Sequence, residues 1–177
     1  MDSQEIGRKL AHAALAIKAI KISPQAPFRW ASGYHMPIYN DNRMFLGSWE
    51  HRNLISAGFS ALINEKQIQF DVVGGTATAG VSPGTTLADR LKKPFVYIRD
   101  KKKGHGLENR VEGILLPQQK VLVIEDVVST GGSSVSALEG VREAGGNVSE
   151  CLCIYSYGFE KAEGLFSVAD CRLFSLL

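Results

Sequence analysis

Cysteine is scarce in this chain: three among 177 residues, Cys151, Cys153 and Cys171, all late and all in apolar runs. An odd number without regular spacing excludes a disulfide framework. Buried, reduced thiols are the expectation instead, with Cys151 and Cys153 two apart in a strand and facing the same side. Long apolar runs are missing too. No stretch approaches about 20 apolar residues, so no membrane-spanning helix is expected. The N-terminus lacks the apolar stretch of a secretion signal, because Lys9, His12, Lys18 and Lys21 interrupt it. Charge of one sign is not in excess. Twenty basic residues against 18 acidic leave +2, too near neutral for a general nucleic-acid or membrane binder. Any basic site is local. The chain has no Gly-Lys-Ser/Thr and no Gly-x-Gly-x-x-Gly after a strand, which weakens ATPase and dinucleotide readings. No His, Cys or Asp cluster has structural zinc spacing. These absences point to a cytoplasmic protein.

What is present is ordinary for a globular chain: 45% hydrophobic and 21% charged residues, with 18 Gly and 6 Pro spread without a period. The length suits a single domain over residues 1–177. Ile6, Leu10, Ala13, Ile17 and Ile20 recur at steps of four and three, predicting a first helix with Asp2 and Glu5 as a capping box. Residues 23–43 hold Pro24, Pro27, Gly33 and Pro37 and read as an irregular hairpin. A second helix carries Trp49, Ile55, Phe59, Leu62 and Ile63 on its apolar side. Strands are expected at 70–73, closed by Gly74-Gly75, and at 95–98, 121–124, 151–157 and 171–176. Helices are expected at 85–92, 133–144 and 161–168. The alternation predicts a doubly wound, mostly parallel α/β sheet. The last run ends at Leu177, as an edge strand would, or as would a chain cut before its final elements.

The strongest chemical signal follows the third strand: Glu125-Asp126-Val127-Val128-Ser129-Thr130-Gly131-Gly132-Ser133. In parallel sheets ligands bind at the C-terminal ends of strands. A loop of Gly, Ser and Thr opening a helix offers backbone N–H groups and a positive dipole end, a cup for one phosphate. Adjacent carboxylates can accept bonds from sugar hydroxyls or hold a divalent cation through water. A generic strand–turn–helix joint needs neither the acidic pair nor the double glycine. A second constellation, residues 99–106, places Arg99, Lys101, Lys102, Lys103 and His105 between glycines after the strand at 95–98. Such a basic loop could close over a multiply charged leaving group; a solvated charged loop is the alternative. A third, Gly74 to Gly80 with Thr78, Ala79 and Gly80, is a small-residue loop that could bring N–H groups to an anion, or merely a helix entry.

The run 125–133 resembles the phosphoribosyl pyrophosphate (PRPP) signature of the type I phosphoribosyltransferases. Residues 99–106 resemble the catalytic loop of the orotate phosphoribosyltransferases, with Arg99, Lys103 and His105 at the matching positions and Asp100 departing from members with a Lys there. Residues 74–80 resemble that family's pyrophosphate loop. Residues 28–43, with Ser32-Gly33 and Pro37-Ile38-Tyr39, resemble its N-terminal lid over the base, though Ala31 stands where some members carry Lys. A packed aromatic hairpin is the plainer reading for Phe28 and Trp30. The resemblance runs from Phe28 to about Cys171, and the family usually continues past Leu177.

The resemblance implies a type I phosphoribosyltransferase fold with a small N-terminal hood from about 1–45. It implies transfer of ribose 5-phosphate from PRPP to orotate, with Mg²⁺ as cofactor and a homodimer sharing the 99–106 loop between subunits. Catalytic roles fall on Lys103, Arg99, His105 and Asp126. PRPP contacts fall on these and on Glu125, Val127, Val128, Ser129, Thr130, Gly131, Gly132, Ser133, Thr78, Ala79 and Gly80. Ser129, Tyr39 and Asn40 fall to orotate, since no Arg follows the strand at 151–157 to read its carboxylate. No direct structural metal ligands are expected; Mg²⁺ would be held through PRPP and water near Glu125 and Asp126. A transferase for another base, or a PRPP-sensing regulator of nucleic acid, would share 125–133 but would not call for the hood and basic loop.

Overall fold

The computed structural model describes residues 1–30, 33–100 and 110–177. Helix α1 (Ser3–Ala16) starts at its expected cap: the Asp2 carboxylate accepts the Glu5 N–H at 2.7 Å. Ile6 and Leu10 are buried, whereas Ile17 caps the helix end and Ile20 opens the next element. The proline-rich stretch folds into two small antiparallel ribbons. Strand β1 (Ile20–Ile22) pairs with β4 (Ile38–Asn40), and β2 (Phe28–Arg29) pairs with β3 (His35–Met36). A short 3₁₀ turn, Asn42–Gly47, leads to helix α2 (Trp49–Glu65).

Ile55, Phe59, Leu62 and Ile63 form the buried face of α2. Trp49 does not join them; it is 65% exposed. Six residues separate it from Ile55, a rotation of about 240° that turns it off that face.

Six strands form the main sheet: β5 (Val72–Thr76), β6 (Phe95–Ile98), β7 (Val111–Glu112), β8 (Lys120–Val128), β9 (Asn147–Ser156) and β10 (Arg172–Ser175). Their order is β10-β9-β8-β5-β6-β7, parallel except for β7. Three helices complete the alternation: α3 (Val81–Leu91), α4 (Gly132–Glu143) and α5 (Glu160–Val168). Helices α1, α2 and α3 cover one face through Leu10, Phe59 and Leu87, packed on Val73, Leu122, Ile124 and Leu152. Helices α4 and α5 cover the other through Leu138, Val141 and Phe166, packed on Val72, Val123, Cys151 and Cys153. The doubly wound expectation holds.

Four boundaries differ by several residues from the sequence reading, and pairing explains three of them, β9 beginning at Asn147 rather than Cys151 because Asn147 pairs with Lys120. The glycine pair does not close β5. Gly74 and Gly75 lie inside it, bonded between β6 and β8. Strand β8 does not stop at Ile124, because β9 pairs with it through Val128 opposite Ser156. The acidic pair therefore lies within a strand. Helix α3 begins four residues early, with Pro83 in its first turn, where a missing N–H costs nothing. The two-residue β7 is too short to leave a periodic trace.

All three cysteines are buried and free, and all join the core on the α4/α5 side. Among the described residues no helix is long and apolar enough to cross a membrane.

Candidate active site

The chain winds outward from β5 in two directions. From β5 it passes through α3 to β6 on one side; from β8 it passes through α4 to β9 on the other, with α3 and α4 on opposite faces. A crevice opens at such a switch point, at the C-terminal ends of the strands. Thr76, Ile98 and Glu125 end up at one level there, by register.

Two loops flank the crevice. The first follows Thr76. Ala77 N–H bonds Ile98 O at 2.7 Å, and Gly80 N–H closes the turn on Thr76 O at 2.9 Å. Ala77 and Thr78 are exposed, and Gly80 caps α3. The second loop follows Val128. Gly131 has φ +83° and caps α4; a Cβ there would lie 3.1 Å from Ala162 Cα. Only glycine fits both demands. Ser129 and Thr130 are half-buried, and Gly132 and Ser133 are exposed at the open N-terminus of α4. Such an arrangement is suited to holding an anion.

The two residues of the acidic pair leave the strand toward opposite faces, yet their carboxyl groups hydrogen-bond to each other. Glu125 turns to the α4 side and is 8% exposed. Its Oε1 lies 2.7 Å from Thr76 Oγ1 and accepts the Asp126 N–H at 3.0 Å; its Oε2 accepts from Ser134 Oγ at 3.3 Å. Burial first, and then the Asp126 charge, push the Glu125 carboxyl well above the ordinary carboxylate range. Asp126 turns to the other face and is half-buried, and burial raises its carboxyl too. It borders a cavity of about 20 Å³, between the hood and the start of α3, with Asn42, Arg43, Ala79 and Ser82. The Glu125 oxygens, expected from the resemblance to serve sugar hydroxyls or metal-bound water, are bonded here to Thr76, Ser134 and the Asp126 N–H.

The hood is tied down by polar contacts and rings. Asn42 Nδ2 donates to Asp126 O at 2.7 Å, and Asn40 Nδ2 donates to Asn42 Oδ1 at 3.1 Å. Asn40 N–H donates to the Tyr157 hydroxyl at 3.2 Å, so that backbone donor is already used. Trp30 lies 4.2 Å from Tyr157 by ring centroids, and its indole N–H donates to Ile38 O at 3.0 Å. Tyr39 is half-buried and its ring packs on Phe28 at 5.6 Å.

Arg99 follows β6 at the same end of the sheet. Its N–H bonds Arg110 O at 2.7 Å, and its guanidinium pairs with Glu112 at 3.2 Å. Lys103 and His105, with the rest of 101–109, and Ala31 and Ser32 lie outside the described residues. The structure thus brings 78–80, Asp126 and 129–133 to one crevice, with Tyr39 and Asn40 on the hood beside it.

Four residues of this site were not singled out from sequence. Thr76 and Ser134 engage Glu125, Asn42 bridges hood to β8, and Tyr157 anchors Asn40. Two left a trace: Thr76 within the small-residue run 74–80, and Asn42 in the polar run Asn40-Asp41-Asn42 beside the aromatic hairpin. Among the described residues no group of three or more His, Cys, Asp or Glu could hold a metal ion.

Comparison with known proteins agrees with this geometry. The phosphoribosyl transferase domain family matches residues 46–173. The orotate phosphoribosyltransferase of Cutibacterium acnes is 43% identical over 176 residues, covering 99% of this chain and 82% of the relative. That of Lactococcus lactis subsp. cremoris is 44% identical over 171 residues, covering 97% and 82%. The crystal structure of orotate phosphoribosyltransferase from Aeropyrum pernix superposes with a TM-score of 0.82 at 30% identity, covering 94% of this chain and 92% of that one. With an α/β sheet, two cups at its switch point and relatives at this identity over four-fifths of their length, this chain belongs to the orotate phosphoribosyltransferase family.

Proposed function

We propose that the protein transfers ribose 5-phosphate from PRPP to orotate, forming orotidine 5′-monophosphate and pyrophosphate, a step of pyrimidine biosynthesis. One observation carries the reading: two anion cups, 77–80 and 129–133, open on one crevice under a hood tied to β8 by Asn42. PRPP carries two phosphate groupings on one sugar, and orotate needs a covered place beside them.

The N1 of orotate attacks the anomeric carbon, and the bond to pyrophosphate breaks with its electron pair leaving on the pyrophosphate oxygen. Positive charge builds on the ribose ring, so catalysis asks for stabilisation of the leaving group rather than a protein nucleophile. The 129–133 cup takes the 5-phosphate, with Val127 and Val128 leading into it. The 78–80 loop takes the pyrophosphate, joined by Arg99, Lys103 and His105. Ser129, Tyr39 and Asn40 are the groups nearest the base, Asn40 through atoms other than its engaged N–H.

Magnesium would be held mainly by substrate oxygens and water, beside the half-buried Asp126. When bound, the ion would neutralise pyrophosphate charge. The same reading makes the protein a homodimer that shares residues 99–106 between subunits, and sedimentation at twice the 19.3 kDa chain mass is the expected outcome. The buried free thiols suit a reducing cytoplasm.

The test is base selectivity. PRPP and Mg²⁺ are supplied with orotate, uracil, hypoxanthine or adenine in turn, and loss of each base is followed. Loss of orotate alone, stopped by EDTA, is expected. Consumption of another base would overturn the reading of the hood. Lys103→Ala is expected to abolish most turnover while PRPP binding partly survives; unchanged turnover would remove the 99–106 loop from the mechanism.

A further inference from the structure

We propose that Glu112 is a positioning residue that aims the Arg99 guanidinium at the pyrophosphate. The inference rests on reading Arg99 as a pyrophosphate ligand and goes on to say how that side chain is held in place. Arg99 is the first residue past β6, and two backbone bonds fix its place. Its N–H bonds Arg110 O at 2.7 Å, continuing the ladder in which Ile98 faces Val111 and Tyr97 faces Glu112. Ile98 O, just before it, accepts the Ala77 N–H at 2.7 Å, which ties the end of β6 to the start of the 77–80 loop. Ile98 and Val111 are buried in the layer under α4 and α5. Side chains alternate along a strand, so Arg99 and Glu112 leave on the opposite face, the one that carries α3. There Arg99 Nη1 lies 3.2 Å from Glu112 Oε1.

The contact engages one terminal nitrogen. A guanidinium carries its donors in a rigid fork, so one such bond orients the group and leaves other N–H groups for an anion. A long side chain ordered in advance also loses less freedom when the anion arrives.

The support for Glu112 is firm. Strand β7 has two residues, too few to stand on pairing with β6 alone. Val111 anchors it in the core at 7% exposure. Arg110 anchors it to α4: its Nη2 donates to Ser136 O at 2.6 Å and to Ser136 Oγ at 2.9 Å. That guanidinium lies against Gly140, where a Cβ would come within 3.1 Å of it. Glu112 therefore stands on a strand fastened to the helix that opens at the 129–133 loop.

The pair is a weak stabiliser, because its side chains are 37% and 25% exposed and ion pairs near water contribute little. The Glu112 charge also repels a nearby anion. Simple repulsion therefore requires that removing the charge tightens pyrophosphate binding, whereas loss of aim requires that it weakens.

Pyrophosphate affinity is measured by calorimetry on the full chain with Mg²⁺, and kcat/KM for PRPP is measured with orotate. Glu112→Val suits a strand but removes the acceptor. Glu112→Gln keeps an oxygen there without the charge. Each is also combined with Arg99→Ala. Glu112→Val is expected to weaken pyrophosphate binding and to lower kcat/KM by about tenfold each, with Tm unchanged. Glu112→Gln is expected to stay within about threefold of wild type, and Glu112→Val to change either quantity less than about twofold once Arg99 is Ala. Ribose 5-phosphate binds all variants alike. Should Glu112→Val fail to fold, Glu112→Thr takes its place. Tighter pyrophosphate binding in both Glu112 variants would reduce Glu112 to a repelling charge and overturn the proposal. Weakening that persists in full without Arg99 would overturn it too, since Glu112 would then act through another group. Wild-type protein that consumes no orotate, yet binds pyrophosphate with this dependence on Glu112, would overturn the functional reading alone. Wild-type protein without affinity for pyrophosphate would overturn both.

Discussion

Gly131 shows how one residue can serve fold and site together. Its φ of +83° lies in the left-handed region, and its missing side chain lets α5 approach through Ala162. Gly131→Ala forces a Cβ into a contact of 3.1 to 3.2 Å with Ala162 on a backbone that disfavours it. The expected cost is about 1–3 kcal/mol in urea unfolding, together with weaker binding of inorganic phosphate. Unfolding and binding that match wild type would show that the turn can relax without this glycine. The same scale sets the surroundings of the adjacent carboxylates. Once β8 continues past Ile124, Glu125 and Asp126 leave the backbone toward opposite sides of the sheet, while their carboxyl groups still bond to each other. One turns inward to Thr76 and Ser134; the other stays half-exposed beside Asn42.

At the scale of elements, the first two helices are joined by a charge-assisted cap. Glu65, at the end of α2, accepts the Ser3 hydroxyl at 2.6 Å and the Ser3 N–H at 2.8 Å, at the start of α1. The Ser3 hydroxyl first, and then its N–H, hold the Glu65 carboxyl below its ordinary value of 4.5. A carboxyl with a depressed pKa in the folded state contributes stability above its unfolded pKa, and that contribution is lost as pH falls through the folded value. Glu65→Gln is therefore expected to lower Tm at pH 7 and to leave it unchanged at about pH 3. An equal loss at both pH values would mean that shape rather than charge joins the helices. Elements also decide where the hood sits. Its ribbons have few buried residues of their own, and they hold their place through Trp30 and Asn40 on Tyr157 and through Asn42 on β8.

Across the whole molecule, the sheet divides two apolar layers, and the cysteines report on one of them. Burial pushes the Cys151 and Cys153 thiols far up, and raises Cys171 to about 12. The thiolate is the reactive form, so buried thiols with raised pKa values are inert. A disulfide reagent such as DTNB is expected to label none of the three quickly in the native protein, and all three after unfolding. Rapid labelling of a native thiol would show that the α4/α5 side opens locally. The order β10-β9-β8-β5-β6-β7 is also a property of the whole chain. It places β5 and β8 side by side, though more than 40 residues separate Thr76 from Ser129, and so makes one crevice of two distant loops.

Periodicity and turn chemistry alone determined most of the elements. Steps of three and four fixed α1 and α2, continuous apolar runs fixed β6 and the start of β8, and the run Ser129-Thr130-Gly131-Gly132 marked the cup. These signals are local, because backbone geometry and solvent impose them within a few residues. The extent of β8, the placement of Gly74-Gly75 inside β5 and the existence of β7 depend on a neighbouring strand, which no single stretch contains. The same holds at the site. The sequence named the acidic pair but not the partners of Glu125, since Thr76 and Ser134 reach it from other elements. Whether a carboxylate faces water or a buried hydroxyl is decided by what packs against it, and only the tertiary structure brings those groups together.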